Sequence, residues 1–414
     1  MKRLKKVSLL TGMTSALVLA QAAAAAEFFV STDGAHQPPF SDWGTAATNI
    51  QDAVDLAGAG STVWVSNGVY QSGWRTNYPP GTVLMSRLVI TNAVTVRSLD
   101  PDPAQTVIKG SRDPDTQSNG SNAVRCVYMS GGASLIGFTV TNGATLVPPP
   151  AATLIVPNDN HNGGGIFVYN SGTVSNCIIA GNMAGAFGAG IFRGNVVDCA
   201  LVGNLARTNA FEAKYGGGGG ACNSSLLRCL VAGNNGHYGS GSNYGTASNS
   251  CFTGNGTIIT SYTTHLFNCL VVSNTSTYAV RGGLVHNSTI ADNNGYGAFH
   301  IEVNLYNCIV YSNKVANHLN VTRPMVYCCT TPAQTNWVAG DGNITSNPLF
   351  LNRSAGNYRL PRNSPCVDAG TNGVWTANGV DLDNRRRIDK VTDIADMGCY
   401  EYVYPVRGTL CTFR

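Results

Sequence analysis

The sequence has few charged residues. Asp, Glu, Lys and Arg make up 12% of the 414 residues, against roughly 25% in ordinary globular domains. The formal net charge of +4 is small and spread along the chain, unlike the concentrated basic surface that nucleic acid requires. We therefore expect no nucleic-acid partner. Gly, Asn, Ser and Thr take the place of the missing charges, which favours a stack of repeats over a globule.

After residue 26 the sequence lacks an apolar run long enough to span a membrane. Residues 1–26 have the pattern of a secretory signal peptide, with a cationic MKRLKK start, an apolar core and the small-residue run AQAAAAA. We predict cleavage near Ala26. The mature chain is then expected to be secreted or at the cell surface, without a transmembrane segment.

The spacings of common metal sites are also missing. No CxxC pair suggests zinc, and an EF-hand that began at Asp381 would need glycine and glutamate where Arg386 and Thr392 stand. The acids and arginines between Asp381 and Asp396 predict a salt-bridged closing loop instead. We predict no metal site and no evident cofactor, with calcium left open.

The sequence does contain a repeat with a period of about twenty residues. Two copies stand side by side in Gly163–Asn204, each with a Gly-rich start, a short apolar strand, a turn, a cysteine and Gly-Asn. Such units are too short for helix pairs, and each can bury its apolar face only against the next copy. A leucine-rich repeat lacks its leucine scaffold here. We predict an all-β, right-handed parallel β-helix.

The units are aligned on a cysteine, with Ser288 in its place in one unit and Gly137 in the first. The aligned cysteines are Cys177, Cys199, Cys229, Cys251, Cys269, Cys308 and Cys328. An asparagine follows five residues later in nearly every unit, and Asn255 comes one residue early. These asparagines are Asn142, Asn182, Asn204, Asn234, Asn255, Asn274, Asn293 and Asn313. A position that recurs once per turn stacks on itself, so we predict an asparagine ladder at one corner.

Thirteen cysteines in an exported protein would suggest disulfides. The repeat cysteines fall in one strand position, which favours buried thiols in a ladder that fills a core layer. Cys366, Cys399 and Cys411 lie outside this ladder. A Cys366–Cys399 bridge that closes the terminal segment is a hypothesis.

An amphipathic helix is predicted near the start of the mature chain. Thr48–Gln51 has the form of a capping box, and Ile50, Ala53, Val54 and Ala57 follow at helical spacing. An open solenoid end needs such a cover for its last apolar layer. Two strand pairs follow, STVWVSNGVYQ and LVITNAVTVRSLD.

These stretches carry a family resemblance. FFVSTDG, followed by DWGTAATNIQDAVDLAGAGSTVWVSNGVYQ, resembles the amino-terminal signature of secreted bacterial pectin-lyase-like β-helix proteins. Ser364–Tyr402, with SPCVDAG, DLDNRRR and DMGCYE, resembles the closing segment of the choice-of-anchor Q proteins. The resemblance implies the fold and an export route, but no assigned reaction. The predicted domains are a signal peptide (1–26), a cap with the first coils (27–110), β-helix repeats (111–345) and a choice-of-anchor Q-like closing segment (346–414).

Two insertions predict a groove. Residues 143–162 and 205–215 both follow the asparagine corner, two coils apart, and only the short MAGAF lies between them. The candidate residues share a place on the walls or the floor of this groove. They are Asp159 and His161 on the first wall, Arg207, Glu212 and Lys214 on the second, and Phe187 and Arg193 near the floor as substrate-binding residues.

Two mechanisms compete if this groove is catalytic. In a polysaccharide lyase, Lys214 or Arg207 would take the proton beside a uronate carboxylate while another cation or a calcium ion neutralises that carboxylate. In a glycosidase, Glu212 and Asp159 would act as acid and base. The leading prediction is an exported protein that binds polysaccharide or another extended polymer. The alternatives are such an enzyme, or a structural, adhesin-like protein.

Overall fold

The structure is a computed structural model that describes residues 25–148, 158–206, 216–256, 259–314, 323, 325–331, 340–373, 376, 379–388 and 391–404. Nearly all of the predicted signal peptide and Cys411 lie outside the described residues. One helix, α1 (Ile50–Leu56), and two short 3-10 turns, Pro103–Gln105 and Arg353–Ala355, are described beside the strands.

The described strands, numbered along the chain, are β1 (Glu27–Val30), β2 (Thr62–Val65), β3 (Gly68–Tyr70), β4 (Met85–Ile90), β5 (Thr95–Ser98), β6 (Thr106–Lys109), β7 (Val124–Met129), β8 (Ala133–Ile136), β9 (Thr139–Thr141), β10 (Ile166–Val168), β11 (Gly172–Ser175), β12 (Ile178–Ala180), β13 (Met183–Ala184), β14 (Ile191–Phe192), β15 (Asn195–Val197), β16 (Ala200–Val202), β17 (Leu205–Ala206), β18 (Ala221–Leu227), β19 (Leu230–Ala232), β20 (Asn235–Gly236), β21 (Ser242–Ser248), β22 (Cys251–Thr253), β23 (Ile259–Phe267), β24 (Leu270–Val272), β25 (Tyr278–His286), β26 (Thr289–Ala291), β27 (Gly297–Tyr306), β28 (Ile309–Tyr311), β29 (Met325–Val326) and β30 (Cys329–Thr331).

These strands form three parallel sheets that wind around one core. In the described residues, sheet one has sixteen strands, sheet two has eleven and sheet three has three. Each turn of the chain adds a strand to sheet one, bends, and adds the next strand to sheet two. The order β9, β12, β16, β19, β22, β24, β26, β28, β30 in sheet two shows this regular stacking. The predicted parallel β-helix is confirmed.

The core lies between the inward faces of the sheets. Val174 and Val196 of sheet one are fully buried, as are Ile179, Leu201 and Val231 of sheet two. Their neighbours along each strand point outward, as the period of two requires. Because no single coil can enclose these side chains, burial depends on the neighbouring coils.

Helix α1 covers the amino-terminal end of this core, as predicted. Ile50, Ala53 and Val54 are buried and belong to the same apolar cluster as Val30 and Val63. The cap differs from the prediction by one residue. Asn49 is the N-cap, and its side-chain oxygen accepts the N–H of Asp52 at 3.0 Å.

The asparagine ladder is present at the corner after sheet two. Asn234 is typical of it: Nδ2 donates to Oδ1 of Asn255 (3.1 Å) and to the carbonyl of Leu201 (2.8 Å). Its own Oδ1 accepts the N–H (2.9 Å) and the Nδ2 (3.0 Å) of Asn204. The ladder runs from Asn182 to Asn313 through Asn204, Asn234, Asn255, Asn274 and Asn293. Each corner therefore satisfies buried polar groups in the neighbouring coil.

The cysteine alignment was wrong by one residue in two coils. Cys251 pairs in register with Leu230, while Ser250 takes the ladder position and its Oγ accepts the N–H of Cys229 at 3.0 Å. With Ser250 aligned, Asn255 is no longer early. In the first coil, Phe138 replaces Gly137, because the N–H of Phe138 donates to Sγ of Cys177.

The shift in the first coil also moves its asparagine. Gly143, not Asn142, stands at the start of the asparagine ladder, and its N–H donates to Oδ1 of Asn182 at 2.9 Å. Asn142 has a positive φ of 59°, which asparagine tolerates. It is therefore a corner residue one position before the ladder.

The described cysteines are free thiols, and nearly all of them are buried. Cys366 lies in an apolar cluster with Cys329, whereas Cys399 lies in a separate cluster with Leu270 and Tyr400. The hypothesis of a Cys366–Cys399 bridge is therefore wrong in this structure. Each thiol packs instead against a different coil of sheet two.

The closing segment runs along the outside of the carboxyl-terminal coils. Nδ2 of Asn249 and of Asn268 donate to the carbonyl of Val380 at 3.1 Å and 2.7 Å. Nδ2 of Asn307 donates to the carbonyl of Thr371 at 2.8 Å. The segment is thus fastened to successive corners, and it covers the outer face of sheet two there.

Candidate functional site

The first insertion and the short MAGAF stretch meet through hydrogen bonds. The N–H of Ala186 donates to the carbonyl of His161 at 2.9 Å. The N–H of Phe187 donates to Oδ1 of Asn162 at 3.2 Å. The described part of the first predicted wall therefore lies directly against the predicted floor.

His161 has a structural place in this contact. Its side chain is buried, and its Nδ1 accepts the N–H of Asn158 at 3.1 Å. Burial lowers the pKa of His161, so the ring is neutral near pH 7. The carbonyl of the half-buried Asp159 accepts from Nη2 of Arg125 at 2.7 Å. His161 thus fixes the loop and is poorly placed to exchange protons with a ligand.

Apart from Leu205 and Ala206, which form β17, the second predicted wall lies outside the described residues. Arg207, Glu212 and Lys214, which the lyase and glycosidase mechanisms need, all fall within 207–215. Both mechanisms therefore stay predictions.

Arg125 organises the first wall and was missed in the sequence. It is fully buried, and it donates to the carbonyls of Gly163 (2.9 Å), Asn162 (2.9 Å) and Asp159. Its guanidinium lies 4.7 Å from the ring centroid of Phe167, and burial lowers the pKa of Arg125 to about 9. An arginine within the apolar strand VRCVYM was the available signal, because a buried cation must find several acceptors.

Sheet one has two limbs that join at β18: the first contains β4, β7, β10 and β14, and the second contains β1, β2, β5, β8, β11 and β15. A row of aromatic rings lies on the outer face of the first limb. The ring centroids of Tyr128 and Phe167 are 5.9 Å apart, and those of Phe167 and Phe192 are 5.3 Å apart. Phe187 packs against this cluster. The guanidinium of Arg193 lies 4.8 Å from the ring centroid of Phe192. Phe187 and Arg193 therefore both adjoin one aromatic row, but Arg193 extends beyond it.

Arg193 lines a groove at the bend between the two limbs of sheet one, which we call the corner groove. It is open to solvent, has a volume of about 450 Å³ and crosses four successive coils. Its lining residues are Asn170, Ser171, Gly172, Arg193, Gly194, Asn195, Asn223, Ser224, Ser225, Gly245 and Thr246. The insertion lengths gave no hint of this groove, since it lies at a different corner.

The lining of the corner groove is polar and nearly uncharged. Asn195 and Ser225 are in register on neighbouring coils, and Thr246 follows on the next, where its Oγ1 lies 3.2 Å from Oγ of Ser225. Arg193 is the charged residue among the lining residues, and none of them is an acid. Amides and hydroxyls can donate and accept hydrogen bonds along a ligand. The lining can therefore form hydrogen bonds with a polar ligand on four successive coils.

Tyrosines continue the surface at the carboxyl-terminal end of the corner groove. Tyr244 precedes the lining residue Gly245 and is 43% exposed. The ring centroid of Tyr262 is 5.7 Å from that of Tyr244 and 5.2 Å from that of Tyr238. The guanidinium of Arg281 lies 5.3 Å from the Tyr262 ring. Tyr244 is therefore an exposed ring that packs against the partly buried ring of Tyr262.

The acids of the closing segment form a buried cluster away from the groove. Glu401 pairs with the fully buried Arg387 at 2.9 Å. Burial raises the pKa of Glu401 to about 9 and that of Asp396 to about 6. Oδ1 of Asp381 accepts the N–H of Asp383 at 2.9 Å. The predicted salt-bridged closing loop is therefore present, with backbone amides as the main partners of the aspartates.

No set of three or more His, Cys, Asp or Glu side chains in the described ranges is arranged to hold a metal ion. Within the same ranges, no helix is long and apolar enough to cross a membrane.

No protein-family model matches the chain, and no curated protein matches it in sequence. Among solved structures, pectate lyase Pel9A is similar, with 13% identity, a TM-score of 0.55, and coverage of 91% of this chain and 96% of that chain. The fold is a right-handed parallel β-helix. A rhamnogalacturonan lyase covers 82% of this β-helix and 96% of its own chain at 11% identity and a TM-score of 0.44. An alginate lyase from Paenibacillus sp. str. FPU-7 covers 71% and 96% at 11% identity and a TM-score of 0.35.

Identities this low show the fold alone. The resemblance to choice-of-anchor Q proteins rests on the motifs in Ser364–Tyr402 and stays a prediction. The motif residues Asp381, Arg387, Asp396 and Glu401 are all buried in the closing segment. Their side chains bond to one another and to backbone groups within the closing segment.

Proposed function

We propose that this β-helix is an exported protein that binds polysaccharide or another extended polymer along the corner groove. The observation that carries the proposal is an open, polar groove that crosses four coils parallel to the long axis. A polymer that lies along this axis would meet equivalent polar positions once per coil, about 4.8 Å apart. The solved structure of a pectate lyase with the same fold agrees with a polymer as partner. The pattern of residues 1–26 supports export.

The proposal is tested by filling the corner groove with a large side chain and measuring the binding of polysaccharide. The mature protein is incubated with a panel of neutral and uronate-containing polysaccharides, and binding is measured by affinity electrophoresis. Asn195→Trp places a large ring in the groove and should abolish the binding. Ser134→Trp is the matched control, because Ser134 lies on the same outer row of sheet one, two coils earlier and outside the groove. Equal binding by both variants would contradict the proposal.

The same incubation tests whether the protein is an enzyme. A lyase would produce ultraviolet absorbance from unsaturated ends, and a glycosidase would produce new reducing ends alone. Glu212→Ala with Lys214→Ala should then abolish the turnover. Binding without either signal supports the groove as a binding site. Absence of both binding and turnover favours the structural, adhesin-like alternative.

A further inference from the structure

The corner groove has one outward side chain per coil at its bend. Arg193 follows Phe192, Asn223 follows Cys222 and Tyr244 follows Asn243, and these preceding residues are in register on neighbouring strands. The row of three therefore runs along the axis. In the preceding coil Phe167 is in register with Phe192, so Tyr169 stands one residue beyond the position equivalent to Arg193. The surface thus presents a tyrosine, an arginine, an asparagine and a tyrosine on four successive coils.

The three side chains stand on left-handed backbone. The φ angles of Arg193, Asn223 and Tyr244 are 66°, 53° and 57°. Asparagine adopts this region readily, but arginine and tyrosine lose about 1–2 kcal/mol there. Asn, Asp, Ser or Gly occupies most of the other described positions that have a positive φ. The less favourable residues at this corner indicate a use for their side chains.

Both tyrosines at the ends of the row are exposed and supported. Tyr169 is 38% and Tyr244 is 43% exposed. The ring of Tyr128 contacts Tyr169, and the ring of Tyr262 contacts Tyr244 edge to face. Three coil spacings, about 14 Å, separate the two corners. Rings held in this way lose little conformational entropy when a flat apolar surface stacks on them.

The charge between the tyrosines is low. Arg193 supplies the one cation of the described lining, and its Nη1 already donates to the carbonyl of Tyr169 at 3.3 Å. A polyuronate that crossed four coils would bring a carboxylate on every sugar against this single guanidinium. Each unpaired carboxylate would lose hydration without gaining a partner. Amide and hydroxyl groups such as those of Asn195, Asn223 and Ser225 suit sugar hydroxyls instead.

We infer that the ligand of the corner groove is a neutral, hydroxyl-rich glycan whose sugar rings stack on Tyr169 and Tyr244. This inference rests on the proposed polymer-binding function and specifies its ligand class. The C–H faces of pyranose rings supply the apolar surface for the tyrosines. The hydroxyls between the stacked rings bond to Asn195, Asn223 and Arg193.

The experiment compares affinities across neutral and uronate polysaccharides at about 0.05 M and about 0.5 M salt. We expect the tightest ligand to be neutral, with an affinity that changes less than about twofold with salt. Tyr244→Ala should weaken this binding roughly tenfold, and Arg193→Gln by about threefold at most. Tyr296→Ala is the control, since Tyr296 is 66% exposed but, unlike Tyr244, is not adjacent in sequence to a residue that lines the groove. It should bind as the parent protein does.

Two results would overturn the inference. The first would refute only the ligand class, and the second would also refute the proposed binding groove. A uronate polymer that binds tightest, weakens with salt and is lost in Arg193→Gln would refute the neutral ligand and leave polymer binding in the groove intact. Binding that is the same in Asn195→Trp, Tyr244→Ala and the parent protein would refute both the ligand class and the groove itself.

Discussion

Two regions of the β-helix share one repeat but differ in what covers them. We call Ile166–Gly236 the open coils and Cys251–Thr331 the covered coils. On the outer face of sheet two, Val202 and Leu230 of the open coils are 37% and 42% exposed. Leu270 and Val272 of the covered coils are each 6% exposed, because the closing segment packs on them.

The corner after sheet one differs in the same way. In the covered coils, Asn268 and Asn307 bond to the backbone of the closing segment, as does Asn249 just before them. In the open coils, Asp198 and Arg228 pair with each other at 2.6 Å and are about half exposed. The stack itself therefore does not need a cover. The closing segment therefore stabilises the covered coils, whereas the open coils keep the exposed surface on which the corner groove lies.

Removal of Arg387 should break the cover. Arg387→Met removes the buried donor to the Glu401 carboxyl and to the carbonyl of Asp396, and the loss of a hydrogen bond to a charged group costs about 1.5–3 kcal/mol for each bond. We expect the urea midpoint of unfolding to fall strongly and the outer face of sheet two in the covered coils to become exposed. Arg386→Met is the matched control, since Arg386 is the exposed neighbour. It should change the unfolding free energy by less than about 0.5 kcal/mol. Equal midpoints for the two variants would show that Arg387 does not hold the cover.

The asparagine ladder tests whether the two regions share one internal structure. Asn234→Ala in the open coils and Asn274→Ala in the covered coils each remove a side chain with ladder bonds on both sides. At about 1 kcal/mol for each bond, both should lose about 2–4 kcal/mol in unfolding free energy.

Asn235→Ala is the control for the ladder, because this neighbouring residue is exposed. Chemical denaturation measures all three variants. A much smaller loss for Asn274→Ala would mean that the cover, and not the ladder, holds the carboxyl-terminal corners.

The architecture was predictable because the same pattern of apolar residues, cysteine and asparagine recurs in each coil. The spacing of Cys177 and Cys199 predicted the coils, and the asparagine five residues later predicted the ladder. The apolar spacing after Asn49 predicted the helix. The alignment failed at Cys251 because residue type was preferred to spacing. The early Asn255 was the sign that Ser250 belonged in that position.

The site was less predictable, because it depends on which corner a side chain occupies. Insertion length drew attention to Asp159 and His161, but His161 is buried in the loop contact. Arg193 was identified, but as part of the groove between the insertions and not of the corner groove. Asn223 and Tyr244 were missed, since their alignment with Arg193 follows from strand register and from the left-handed bend. Likewise, the acids after Asp381 predicted ion pairs in the closing segment, but they did not predict which coils this segment covers.

The pH dependence of local stability gives the finest comparison of the two regions. Burial raises the pKa of Asp396 to about 6 and that of Glu401 to about 9, both above the values of unfolded chains. The stability that such groups contribute is present in acid and is lost as pH rises through the folded pKa. The cover should therefore loosen as pH rises from about 4 to about 9, with the Asp396 contribution lost by about pH 6 and the Glu401 contribution by about pH 9. The open coils, whose ladder is uncharged, should not change.

Hydrogen exchange, corrected for the intrinsic effect of pH, measures this difference. Protection of the Gly370 and Met397 amides, which donate to the carbonyls of Ala395 and Cys366, should fall with rising pH. Protection of the Asn204 amide in the open coils should stay constant. Glu401→Gln keeps the shape of the side chain but cannot ionise, so its cover should lose the upper part of the pH dependence. A parallel fall at Asn204 would mean that the cover and the coils unfold as one unit, and that the two regions are not separable in stability.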